Sequence, residues 1–135
     1  MKPGWVNYPF LETLKKAFDV PYKWDTDVNE AAFGESTWGA AKGMDSCVYY
    51  TIGTGIGVGV YTEGKLVHGL VHPEGGHILT RRHPEDGFEG LCPYHGDCLE
   101  GMASGPAIEK RCNMKGREIP ADHPAWAVQA FYFKG

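Results

Sequence analysis

Leu11, Leu14 and Phe18 recur at helical spacing in "PFLETLKKAF", with charged residues between them, and predict a short amphipathic helix from Pro9 to Phe18. Proline suits the first position of such a helix, where no amide donor is needed. Pro21 ends it, and "PYKWDTD" reads as a short strand entering a loop. A second helical pattern follows. Asp25, Thr26 and Asp27 are candidate N-caps, and Ala31, Ala32, Phe33, Trp38 and Ala41 suit one buried face. Gly34 and Gly39 each cost such a helix about 1 kcal/mol relative to alanine, which close approach of a neighbouring element would explain. Gly43 is a plausible C-terminal stop.

From about Asp45 the helical period gives way to strands. Val48 to Ile52, Val58 to Thr62 and Leu66 to Leu70 read as strands, joined by a turn at Gly53 to Gly57 and another at Glu63 to Lys65. A soft domain boundary falls there, separating residues 1–45 from residues 46–135. Pro73 to Gly101 carries no regular pattern. "ASGPAIEKR" then opens a helix with Ser104 as its cap, and "PADHPAWAVQAFYFKG" reads as a last helix that stops at Gly135. The mixture of helices and strands indicates an α/β class, and no internal repeat is visible.

Composition narrows the function. A formal charge of -4 over 135 residues, with no basic stripe, argues against a nucleic-acid partner. No apolar run reaches the ~20 residues of a membrane span, and "MKPGWVNYPF" lacks the core of a signal peptide, so the cytosol is the expected compartment. Reduced thiols are then expected at Cys47, Cys92, Cys98 and Cys112, with Cys47 and Cys112 as buried thiols. The four tryptophans read as core residues. Glycine is the oddity, at 19 of 135 residues, about twice the usual share.

Cys92-Pro-Tyr-His95-Gly-Asp-Cys98 has the spacing C-x2-H-x2-C, and such a tight loop can turn three ligands toward one ion. His77 would complete a Cys2His2 set suited to Zn2+, with His72 and His83 as lower-ranked substitutes. Four protein ligands leave no open position for a reactive water, so the metal would be structural. It would stabilise a long loop that has too few apolar residues to hold itself. The glycine turn "TIGTGIGVG" is a second candidate. Backbone N–H groups around Gly53, Gly55 and Gly57 could converge on phosphate oxygens, with the Thr54 hydroxyl adding a donor; a plain hairpin fits equally well. Asp27, where a strand meets a helix, could accept a proton from a hydroxyl or simply cap the helix. Glu74 and Glu100 flank the metal loop and could bind sugar hydroxyls or face solvent.

In order along the chain, "DTDVNEAAFGE", "TIGTGIGVGV", "HPEGGHI" and "CPYHGDCLEGMASGPAIEKR" resemble the ROK family of sugar kinases and repressors, most of all its bacterial fructokinases. The resemblance runs from about Lys2 to Phe133. It implies an actin-like, ribonuclease-H-like fold of two α/β domains around a cleft, here partial and with a zinc-stabilised loop. It further implies ATP phosphates at Gly53, Thr54, Gly55 and Gly57, Mg2+ beside them, and a hexose in the cleft. Asp27 would take the proton of the sugar 6-hydroxyl, and Glu74, His77 and Glu100 would bind the sugar, with His77 also ligating zinc. Thr26 stands where many members carry Asn, so one sugar contact differs. The metal segment is the fructokinase-like variant of the more common C-x-C-G-x2-G-C. The family's opening Asp-x-Gly-Gly-Thr loop is missing from the chain. The expectation is therefore an internal segment of a kinase, with little activity by itself, in a family where dimers are common. A sugar-responsive repressor segment and a non-catalytic zinc module are the alternatives.

Overall fold

The computed structural model describes residues 4–134; the expectations that fall on Lys2 and Gly135 lie outside them. Among the described residues two α-helices are followed by a three-stranded sheet and then by three more helices: α1 (Phe10–Ala17), α2 (Asp27–Thr37), β1 (Ser46–Ile52), β2 (Ile56–Thr62), β3 (Lys65–Leu66), α3 (Leu99–Ala103), α4 (Gly105–Cys112) and α5 (Ala125–Phe133). The strands are antiparallel in the order β1-β2-β3. Ile52 pairs with Ile56, which leaves Gly53, Thr54 and Gly55 as the hairpin tip.

Strand β2 organises the molecule because its side chains alternate between two faces. Ile56 and Val58 point into a core with Leu99, Met102, Ala103 and Tyr132, contributed by α3 and α5. On the other face Gly57 and Gly59 meet α2. A Cβ on Gly59 would lie 2.0 Å from the carbonyl oxygen of Val28, so α2 sits where only glycine allows it. Gly57 thus belongs to the strand rather than the turn, and the strand begins at Ile56 instead of Val58.

Other expectations are corrected by the same packing. Helix α2 ends at Thr37 and buries Val28, Asn29 and Ala32, while Phe33 and Trp38 are exposed, Trp38 by 76 %. No element packs at Gly34, and Gly39 is crowded by Glu35 of the preceding helical turn, so the close approach is at β2 instead. No strand forms in "PYKWDTD" among the described residues, and the third strand stops at Leu66, leaving Leu70 and Val71 exposed. The helix expected after Ser104 is two helices. Ser104 ends α3 and precedes α4, but its hydroxyl caps neither. Cys47 and Cys112 are half-buried, and Trp5, Trp24 and Trp126 are exposed as well.

A buried polar cluster ties the irregular segment to the helices. Asp86 accepts from Arg111 of α4 at 3.0 Å and from the Tyr132 hydroxyl of α5 at 2.7 Å. Burial pushes the Asp86 carboxyl up, but Arg111, Tyr132 and the Phe88 N–H outweigh it and hold the group below the usual carboxylate range. A depressed folded pKa contributes stability that is present above the unfolded value, about 3.9, and is lost as pH falls through the folded value. Asp86→Ala should cost roughly 3 kcal/mol at neutral pH, because Arg111 is left buried and unpaired. The gap in thermal midpoint between wild type and variant should begin to narrow once pH falls below about 3.9; a gap independent of pH would contradict the ion pair.

Candidate metal centre and cleft residues

The loop from Leu91 to Gly101 is built to converge. The amide of Cys92 donates to the Gly96 carbonyl at 3.1 Å and the Gly96 amide returns to the Cys92 carbonyl at 2.9 Å. Gly96 has φ +64°, a left-handed conformation that lets the chain double back beneath His95. His77 arrives separately, on a 3-10 turn (Gly75–His77) entered through Glu74. The segment after it pairs with the loop: the Leu99 amide donates to the Ile78 carbonyl, and Leu79 bridges Cys98. Residues 21 positions apart in sequence, His77 and Cys98, thereby come together.

The ligand atoms of His77, Cys92, His95 and Cys98 all lie within 4.8 Å of one another. His77 Nδ1 is 3.6 Å from Cys92 Sγ and 3.5 Å from Cys98 Sγ, and His95 Nδ1 is 3.6 Å from Cys92 Sγ. This cluster could hold a metal ion. Burial pushes the Cys92 thiol up, but the backbone amides of Tyr94 and His95 outweigh it and bring it down to about 7. Burial, with Cys92 beside it, pushes the Cys98 thiol up. One sulfur is therefore easily ionised near neutral pH, the form that binds metal. The substitutes are not in this cluster: the ring of His83 packs edge-on to Phe131 and accepts the Glu85 amide.

Of the remaining candidates, Glu100 reaches this centre through His77, whereas Thr26 and Asp27 lie at the start of α2. Thr26 caps α2, its hydroxyl accepting the Asn29 amide at 3.3 Å. Asp27 is exposed at the first turn, where Oδ1 accepts the Val28 amide at 2.9 Å. Glu74 is exposed, with φ 52°. Glu100 is drawn into two contacts: Oε2 accepts the Ile56 amide at 2.8 Å, and Oε1 lies 3.9 Å from His77 Nε2. Thr54 and Glu100 line one cleft with Cys92 and Ser104. No hydrogen bond among the described residues joins Asp27 to Glu74, Glu100 or the glycine turn.

One group has no signal in the sequence beyond a possible cap. Asp25 is a buried carboxylate that accepts from His68 Nε2 at 2.6 Å, Asn29 Nδ2 at 2.8 Å and the Thr26 amide at 2.8 Å. Burial pushes its carboxyl up, but His68, Asn29 and Thr26 outweigh it and hold it low. This clamp fixes the backbone immediately before Asp27. His68 lies 43 residues away, so no local pattern could have announced the pair.

The ROK family model matches residues 1–129. The chain belongs to the ROK family. It is 52 % identical to a fructokinase of Zymomonas mobilis over 97 % of this chain and 44 % of that protein. It is 48 % identical to a fructokinase of Pediococcus pentosaceus over 97 % of this chain and 46 % of that protein. Among solved structures it resembles the ROK hexokinase of Thermus thermophilus, with a TM-score of 0.72 and 29 % identity, covering 91 % of this chain and 46 % of that one. The chain thus spans under half the length of the curated ROK relatives it matches. The fold is that of ROK sugar kinases, and among the described residues no helix is long and apolar enough to cross a membrane.

Proposed function

We propose that this chain supplies the catalytic-aspartate segment, phosphate turn and metal-braced sugar loop of a ROK kinase that transfers phosphate from ATP to the 6-hydroxyl of a hexose, with fructose as the favoured substrate. The observation that carries the reading is the convergence of the His77, Cys92, His95 and Cys98 ligand atoms beside Glu100, in a chain about half identical to two fructokinases.

Zinc fits the donor set. With Zn–S about 2.3 Å and Zn–N about 2.0–2.1 Å, a tetrahedral site puts S and N about 3.5 Å apart, and the three separations here are 3.5, 3.6 and 3.6 Å. The ion would brace the loop and chemically do no more. With Nδ1 on the metal side, the His77 ring presents Nε2 toward Glu100 and the cleft.

The reaction needs alignment and charge stabilisation more than covalent chemistry. Asp27 has one oxygen engaged by its own helix and the other available to accept a proton from the sugar hydroxyl. Glu74, His77 and Glu100 would hold the remaining hydroxyls. Gly53, Thr54, Gly55 and Gly57 lie at and beside the hairpin tip, where Thr54 is exposed and its amide and hydroxyl would meet a phosphate. Mg2+ would accompany ATP in this chemistry. Residues 1–45 would close the first domain and 46–135 open the second; a cytosolic location and a homodimer accompany the proposal.

The test is a chimera in which this chain replaces the matching 131 residues of the Pediococcus pentosaceus fructokinase. ATP-dependent phosphorylation of fructose, read by coupled assay, is the expected result, with mannose and glucose as competitors. A folded, zinc-loaded chimera without turnover would count against the reading. The chain by itself should turn over little or nothing.

A further inference from the structure

We infer that Glu100 is a positioning residue that couples the metal centre to the glycine turn, so that metal occupancy and the geometry of the turn depend on one another. The inference rests on the metal reading above and goes beyond it, since neither a ligand role nor a sugar contact requires the turn to respond to the metal.

Four observations meet at this side chain. Glu100 follows the ligand Cys98 by two residues and sits in the first turn of α3, so the metal loop fixes where it starts. Its Oε2 accepts the Ile56 amide at 2.8 Å, at the exit of the hairpin tip. Its Oε1 lies 3.9 Å from His77 Nε2, the nitrogen opposite the one that faces both sulfurs. Finally, a Cβ on Gly55 would lie 2.6 Å from Oε2 and 3.3 Å from Cδ, so the turn is shaped around the carboxylate.

The chemistry runs in both directions. A carboxylate behind a ligating imidazole orients the ring and makes it a better donor, and losing such a partner typically weakens metal binding by about 10–100-fold. The 3.9 Å gap is longer than a hydrogen bond, so the carboxylate acts on the ring by its charge unless a small shift of the flexible Glu100 side chain closes the contact. A metal that holds the His77 ring still also holds Glu100, and through it the Ile56 N–H at the tip that would receive phosphate. Coupling of this kind is reciprocal: whatever displaces Glu100 from the turn side must weaken the metal.

Gly55→Ala is the decisive probe. Gly55 is remote from the four ligands in sequence, its φ is not in the left-handed region, and the nearest atoms a methyl would meet all belong to the flexible Glu100 carboxylate. The variant should fold and push that carboxylate away. Zinc affinity, measured on the purified chain by competition with a chromophoric chelator, should fall by at least about fivefold in Gly55→Ala and by about 10–100-fold in Glu100→Ala. Glu100→Gln separates the two arms, because an amide oxygen can still accept from Ile56 but carries no charge for His77. Zinc loading of the wild type should slow exchange of the Ile56 amide more than those of Val58 and Val60. In Glu100→Gln that amide should be protected whether or not zinc is bound. Zinc affinity unchanged within about twofold in Gly55→Ala, with circular dichroism as in wild type, would overturn the coupling while leaving the metal reading intact. A chain that binds no zinc would end both.

Discussion

Removing zinc from the site proposed at His77, Cys92, His95 and Cys98, or replacing Cys98 with serine, is expected to lower the thermal midpoint by roughly 10–20 °C. Free metal a thousandfold above its dissociation constant adds about 4 kcal/mol, and each kcal/mol moves the midpoint of a domain this size by roughly 3–5 °C. The effect is large because the segment from Pro73 to Gly101 has little else to hold it. It contains no strand and, before α3, only a single 3-10 turn. The two isolated bridges, Leu79 with Cys98 and Cys92 with Gly96, only tie the segment to itself; its anchors to the rest are the Asp86 cluster, the Glu100–Ile56 hydrogen bond, Gly75 and Gly76 against β2, and Phe88 against the core. Cys98 is fully buried at the start of α3 and one residue from Leu99, which packs in the main core, so release of the loop reaches the core directly. Differential scanning calorimetry with and without a chelator, followed by restoration with Zn2+, measures it. A midpoint unchanged by chelation would mean that burial alone supports the loop.

Asp27→Asn, made in the active chimera, should lower kcat by about 10²–10⁴-fold, the usual contribution of a general base, with KM for the sugar changed by less than about threefold. The amide oxygen of asparagine can still accept the Val28 amide, so α2 keeps its first turn. The loss therefore falls on proton transfer rather than on folding. Asp25→Asn offers the contrast. Asp25 is buried against His68, Asn29 and Thr26, and its substitution should cost thermal stability before it costs chemistry. If Asp27→Asn and Asp25→Asn gave the same profile, the two carboxylates would share a structural role and Asp27 would lose its assignment.

Much of the molecule is legible in its sequence, for local reasons. The C-x2-H-x2-C spacing constrains its own turn, so Cys92, His95 and Cys98 group together on spacing alone, and His77 of "EGGH" does join them. The hairpin at Gly53 to Gly55 and helices α1, α2 and α5 follow from short-range patterns. What failed were inferences that depend on what covers a residue. Trp38 and Phe33 have the spacing of a buried helix face, yet the face that α2 buries is set by the glycines of β2, which a helical period does not reveal. Leu66 to Leu70 is apolar enough for a strand, but beyond the Val67 amide, which donates to Val60, the segment finds no partner in the sheet and leaves it. Contacts between residues far apart in sequence, such as Asp25 with His68 and Glu100 with Ile56, have no local signature at all.

The two-sided character of β2 also sets limits on how this protein can drift. Its valine and isoleucine side faces α3 and the metal loop, and its glycine side admits α2 and the acid at its tip. Deleting or inserting one residue between Gly55 and Gly59 would exchange the faces. Methyl groups would then meet the Val28 carbonyl while glycines emptied the core. One-residue length changes between Gly55 and Gly59 are therefore forbidden, whereas the exposed stretch around Leu70 and Val71 can lengthen or shorten without disturbing either side.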